Sequence, residues 1–177
     1  MVTLPKNILY SSGELTKYLI LTTEMAIFDV DSKTQNEILE ICNNFYNKYK
    51  LNLRIYQTSN GYRLFLTNKK FDLALDFKLL MQYTKELNGD TRYIIFNLKK
   101  SFGIFTARIA PKKINAQEVS TMIELVNKFN DYKNHPNEGV ARYITSIGNG
   151  VILEEFKDFI TQHDEVSKAF NKNSILI

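Results

Sequence analysis

The sequence predicts a single α+β domain built on an antiparallel sheet. Three observations carry this. Short runs alternate apolar and polar residues, two stretches between them repeat apolar residues at helical spacing, and an Asn-Gly turn joins two of the alternating runs. The 177 residues, 44% hydrophobic and 24% charged, have the size and balance of one globular domain.

The elements follow in order. Lys17–Thr23 and Met25–Val30 read as strands with a break near Glu24, and Asp31-Ser32 supplies a helix N-cap region. From Thr34 to Tyr49, Ile38, Ile41, Cys42, Phe45 and Tyr49 fall at helical spacing, and Lys48 and Lys50 suit the negative end of the helix dipole. Leu51–Gln57 and Tyr62–Thr67 alternate, and Ser59-Asn60-Gly61 between them supplies the positive φ angles of a tight hairpin turn. Leu73, Phe77, Leu80, Met81 and Leu87 mark a second helix, Asp72–Leu87, which Asn88-Gly89-Asp90 ends. Arg92–Leu98 and Phe102–Ile109 read as a further strand pair, turning near Lys99-Lys100-Ser101. The resulting β-α-β-β-α-β-β order, preceded by one extra strand, is ferredoxin-like or RNA-recognition-motif-like, with helices on one face and the other face open. After Pro111, a helix over Asn115–Phe129 carries Val119, Met122, Ile123 and Val126 as its buried stripe. A short strand, Val140–Ile147, stops at Gly148-Asn149-Gly150, and a helix spans Leu153–Ile160. Residues 1–177 therefore count as one domain, with a core over about 17–110 and a helical flank over about 115–177.

Composition excludes several classes. A single cysteine, Cys42, permits no internal disulfide and suits a reducing compartment. No apolar run approaches the ~20 residues of a membrane helix, and Met1–Tyr10 lacks the pattern of a signal peptide. The cytoplasm is the expected location and no membrane partner is expected; the oligomeric state is left open. Two histidines and one cysteine make no zinc set, and no Walker loop or dinucleotide fingerprint is present. Neither His135 nor His163 has a recognisable nucleophile partner. The net charge of +4 is unevenly spread: twelve of the 23 basic residues fall in two acid-free runs, Ile41–Phe71 and Thr91–Gln117. This predicts a basic sheet surface that attracts polyanions, solvated edges being the plainer alternative.

Four groups are candidates for chemistry. Asp29 and Asp31 point to the same side of a strand, where two carboxylates can share Mg²⁺ or Mn²⁺ as in phosphoryl-transfer sites. The plainer alternative makes Asp31 a helix cap and Asp29 a solvated turn residue. Ser59 and Gly61 leave room for a phosphate that Arg63 can grip, the plainer alternative being an ordinary hairpin turn with an exposed arginine. Arg108 and Lys112 offer either a second phosphate contact or a strand running into an ordinary basic loop. Arg54, Tyr56, Lys99 and Lys100 would hold single-stranded nucleic acid, with Tyr62, Phe65 and Phe105 as further rings for stacking.

Asp29-Val30-Asp31, a helix, and then Ser59-Asn60-Gly61-Tyr62-Arg63 in the next hairpin resemble the catalytic core of archaeo-eukaryotic primases and primase-polymerases. The resemblance spans about Met25 to Ile109. It implies that Asp29 and Asp31 are catalytic and bind divalent metal, and that Ser59 contacts an incoming nucleotide. Arg63 stands where that family carries a histidine, and the strand expected to bring a third acid offers only Asn97, with Asp90 before it. The whole chain also resembles small bacterial proteins that share this acid pair, a segment like Tyr56–Leu64, one like Ala107–Lys112, and a late His-Asp. His163-Asp164 reads as a surface pair or helix end. The resemblance implies a nucleotide- or nucleic-acid-handling domain with an incomplete catalytic set, nucleotidyltransferase-like if active. The alternatives are a non-catalytic single-strand-binding module and a protein-interaction domain using the open sheet. Coverage of that face by the C-terminal helices would weaken both nucleic-acid readings.

Overall fold

The computed structural model describes residues 8–12, 17–31, 33–100, 104–109 and 122–177. Strand β1 (Ile8–Ser12) pairs antiparallel with β2 (Lys17–Thr23), and the chain breaks at Glu24 into β3 (Met25–Asp31), as expected. Helix α1 (Gln35–Tyr49) starts at Thr34, not at Asp31-Ser32. The Thr34 hydroxyl accepts from the Glu37 amide while the Glu37 carboxylate accepts from the Thr34 amide, a reciprocal cap. Strands β4 (Leu53–Gln57) and β5 (Gly61–Lys70) form the expected hairpin, closed by the Thr58 amide on the Gly61 carbonyl, but neither Asn60 nor Gly61 takes the positive φ expected of the turn. Helix α2 (Phe77–Glu86) begins later than expected, because Asp72 caps a turn through Ala74 and Leu75 first.

The largest departure follows. Arg92–Leu98, expected as a strand, lies in helix α3 (Thr91–Lys100). Tyr-Ile-Ile-Phe has strand composition, but Ile94 and Asn97 are buried while Arg92 and Phe96 face out, a helical alternation. Asp90 accepts from the Arg92 amide and starts this helix rather than ending the previous one. The elements therefore do not follow the ferredoxin-like order. Strand β6 (Phe105–Arg108) pairs with β2, giving a three-stranded sheet β1-β2-β6.

After α4 (Met122–Asn134) come β7 (Glu138–Gly139), β8 (Arg142–Ile147), α5 (Glu154–Ser167) and β9 (Ile175–Leu176). On α4 Phe129 and Tyr132 are buried and Ile123 of the expected stripe is exposed, while the side chains of Met122 and Val126, and Val119, lie outside the described residues. The beginning of the helix expected from Asn115, and Lys112 before it, lie outside the described residues. Strand β8 is the fourth strand of an antiparallel sheet ordered β3-β5-β4-β8, so the expected flank is part of the core.

Register defines the two faces of this sheet. Asp29 lies opposite Arg63, Ile27 opposite Phe65, and Arg54 and Tyr56 opposite Phe65 and Arg63, so these six share a face. That face is not open. His163 and Phe159 of α5 pack on Phe65 at ring distances of 4.7 and 5.5 Å, and His163 packs on Tyr56 at 4.8 Å. Phe28, Val30, Ile55, Leu64 and Leu66 point the other way and are also buried. This leaves the α1–α2 pair, joined through Phe45 and Tyr83, to cover the second face. The structure is thus an α+β fold with both faces of its four-stranded sheet covered. No helix among the described residues is long and apolar enough to cross a membrane.

Candidate functional site

Two arginine–aspartate pairs lie on the face under α5. At the β3 end, Arg63 Nε donates to Asp29 Oδ1 at 3.0 Å and Nη1 donates to the Arg108 carbonyl at 3.1 Å. Burial works against the charged Arg63, and the Asp29 carboxylate more than offsets it. Tyr93 of α3 closes this end, its hydroxyl donating to the Thr106 carbonyl; burial first, and then the Asp29 charge, push that hydroxyl's pKa up. The Asp90 amide donates to the Asp29 carbonyl, and the Asp90 carboxylate holds exposed Arg92 at 3.0 Å. Asp31 is exposed at the strand end, and its field reaches Arg92. Gly61 pairs with Asp31 and brings the hairpin tip, with exposed Ser59, beside it. A Cβ at Gly61 would lie 2.1 Å from the Val30 carbonyl oxygen, so this approach requires glycine.

The acid pair, Ser59 and Arg63 therefore gather at one strand end, but Asp29 is committed to a guanidinium. Among the described residues no group of three or more His, Cys, Asp or Glu side chains is placed to hold a metal.

Among the described residues the aromatic rings expected on a basic surface are covered. Tyr56 and Phe65 are fully buried because α5 covers their face, Phe105 of the three-stranded sheet is fully buried too, and Tyr62, on the opposite face of the four-stranded sheet, is nearly so; none presents a ring for stacking. Basic residues of the first acid-free run are compensated in space by acids distant in sequence, while Arg92 of the second pairs with nearby Asp90. Lys48 pairs with Glu86, Arg54 with Asp164, Arg63 with Asp29, and Lys70 with Glu24 and Glu155. Lys99 is exposed on α3, which Lys100 ends, and Arg108 is half-buried with its carbonyl engaged by Arg63.

The centre of the face holds what the sequence reading placed at the surface. His163 and Asp164 are buried on α5. Arg54 Nε donates to the Tyr56 hydroxyl at 2.5 Å and Nη2 donates to Asp164 Oδ2 at 2.6 Å. The Tyr56 hydroxyl donates to Asp164 Oδ1 at 2.5 Å, and His163 Nδ1 lies 3.3 Å from the same oxygen. Burial alone would raise the Asp164 pKa, but hydrogen bonds from His163 and Tyr56 and the Arg54 charge hold it below the usual carboxylate range. Burial lowers that of His163, whose Nε2 has no hydrogen-bond partner among the described residues. The signal was in the spacing: Phe156, Phe159, Ile160, His163 and Ser167 form one stripe, which extends the last helix a turn and more past Ile160 and points His163 inward.

Compared with known proteins, the chain matches no protein-family model, no curated protein and no solved structure at a significant level.

Proposed function

We propose that the chain is a nucleotide-handling domain of primase-polymerase type that works without metal-dependent transfer and meets its ligand at the β3 end rather than across the sheet. The observation that carries this reading is the Arg63–Asp29 pair. A guanidinium held 3.0 Å from the carboxylate supplies permanently the positive charge that a metal would bring. Mg²⁺ demands near-octahedral oxygen ligands, and one engaged carboxylate beside Asp31 falls short of that. Asp31, Ser59, Asn60 and Arg92 are exposed at this end, with Arg92 as the contact for a phosphate.

Calorimetric titration with a nucleoside triphosphate, with EDTA and again with Mn²⁺, tests the reading, alongside a primer-extension assay. Binding of equal strength in both conditions, weakened in Arg92→Ala, and no extension are the expected results. Mn²⁺-dependent extension, or no binding in either condition, would overturn it.

A further inference from the structure

The central network carries a second site, independent of the β3 end. A cleft of about 450 Å³ opens over Arg54 beside α5, with Ile152 and Ile160 as apolar walls and Phe170 at its mouth. That volume falls in the roughly 300–1,000 Å³ range of small-molecule sites. Three features define what fits. First, Arg54 uses Nε on Tyr56 and Nη2 on Asp164, so Nη1 is a donor with no acceptor among the described residues, on a side chain locked by Tyr143 at 4.1 Å. Second, Phe170 is 63% exposed although it borders this cleft and touches the Tyr143 ring at 5.5 Å, so a planar ligand gains a stacking platform. Third, Arg54 and Asp164 cancel in charge while Glu165 on the lining leaves a negative balance, which disfavours an anion and favours a neutral ligand with a hydrogen to donate.

We propose that this cleft binds a neutral planar heterocycle carrying a carbonyl beside a ring N–H, the guanine type of nucleobase. The carbonyl accepts from Arg54 Nη1, the ring N–H and amino group donate toward Asp164 and Glu165, and the ring lies on Phe170. Arginine reads the same guanine carbonyl on base edges, and carboxylates likewise accept from base amino groups.

The test is calorimetry on the full chain with guanosine, 1-methylguanosine, adenosine and benzoate. Substitution of Arg54 would disturb the buried network, so the variants are Phe170→Ala and Glu165→Gln, both exposed. Guanosine should bind, and 1-methylguanosine and adenosine should each bind at least ~10-fold more weakly. Phe170→Ala should cost about 10-fold, in line with loss of one stacked base. Equal binding of all three nucleosides, guanosine binding unaffected by Phe170→Ala, preference for benzoate, or no heat with guanosine would each overturn the proposal.

Discussion

At the β3 end the arginine is the deeper partner: the Arg63 side chain is 7% exposed and that of Asp29 29%. In the centre the carboxylate is deeper, Asp164 at 8% against Arg54 at 14%. The pairs also differ in reach. Asp29 and Arg63 face each other on neighbouring strands, whereas Asp164 comes from α5 and collects donors from Arg54, Tyr56 and His163. A two-member pair with one wet partner can lose that partner and let water in. A hub that satisfies several buried donors cannot, because each is left without an acceptor.

Asp164→Ala should therefore be the most damaging single change to this face. It strands Arg54 and the Tyr56 hydroxyl, and the expected loss is about 3–5 kcal/mol, read as a shift in the urea midpoint. If that protein does not fold, Asp164→Asn retains one acceptor oxygen and should fold with a smaller loss. A loss under ~1 kcal/mol for the alanine variant would erase the distinction between hub and pair.

Asp29→Ala comes next, at about 2 kcal/mol, because Arg63 keeps its bond to the Arg108 carbonyl and water reaches the vacated side. Adding Arg63→Met should restore much of that loss, since an apolar chain suits the buried site. A double variant worse than Asp29→Ala would show that Arg63 holds Arg108 in place more than it answers Asp29.

Much of the fold was legible because local signals agreed with one another. The β4–β5 hairpin, the α1 stripe and the β2–β3 break lie where periodicity places them, although the hairpin holds neither Asn60 nor Gly61 at positive φ and needs its glycine for the close approach to Val30 instead. Arg92–Leu98 was misread because β-branched and aromatic composition outweighed a helical alternation and an Asp90 cap that serves the following element. The candidate site was half legible. Alternation puts Asp29 and Asp31 on one side, but it does not say that Arg63 across the ladder will occupy Asp29. The first acid-free run reads more basic in sequence than in space for a related reason. An acid-free run is a statement about neighbours in sequence, and the acids that answer Arg54 and Lys48 come from α5 and α2. The hub needed a long-range contact, Tyr56 to Asp164, that no local pattern encodes.

The hub also sets the pH response. His163 is buried with a pKa lowered from 6.5, so below about pH 6.5 the unfolded chain takes up a proton that the folded chain resists. Stability should thus begin to fall as pH drops through that value, well above the range of carboxylate titration. Asp164, also lowered in the folded state, adds its own loss only as pH falls below its unfolded value of 3.8. Unfolding free energies from urea titrations at about pH 7.5 and about pH 5.5 should differ by ~1 kcal/mol on this account. His163→Phe, which fits among Tyr56, Phe65 and Phe159 and removes the unpartnered Nε2, should flatten that segment. An unchanged slope would move the titration elsewhere.

The smallest effect expected is a heat of Mn²⁺ binding. In the wild-type protein Asp29 Oδ1 is held by Arg63 and Asp31 stands alone at the strand end, so a divalent ion would meet one free carboxylate and the positive field of two guanidiniums, Arg63 and Arg92. No resolvable binding should appear. Arg63→Met removes the nearer guanidinium and leaves Asp29, already in contact with water, as a free ligand two residues from Asp31 on the same strand side. Weak binding should then emerge, because two carboxylates fill only part of the oxygen shell such an ion takes and water must complete it. It should vanish again when Asp31→Asn is added. Mn²⁺ bound equally by wild type and Arg63→Met would mean that the guanidinium does not stand in the metal's place, and the β3 end would have to be read as a metal site after all.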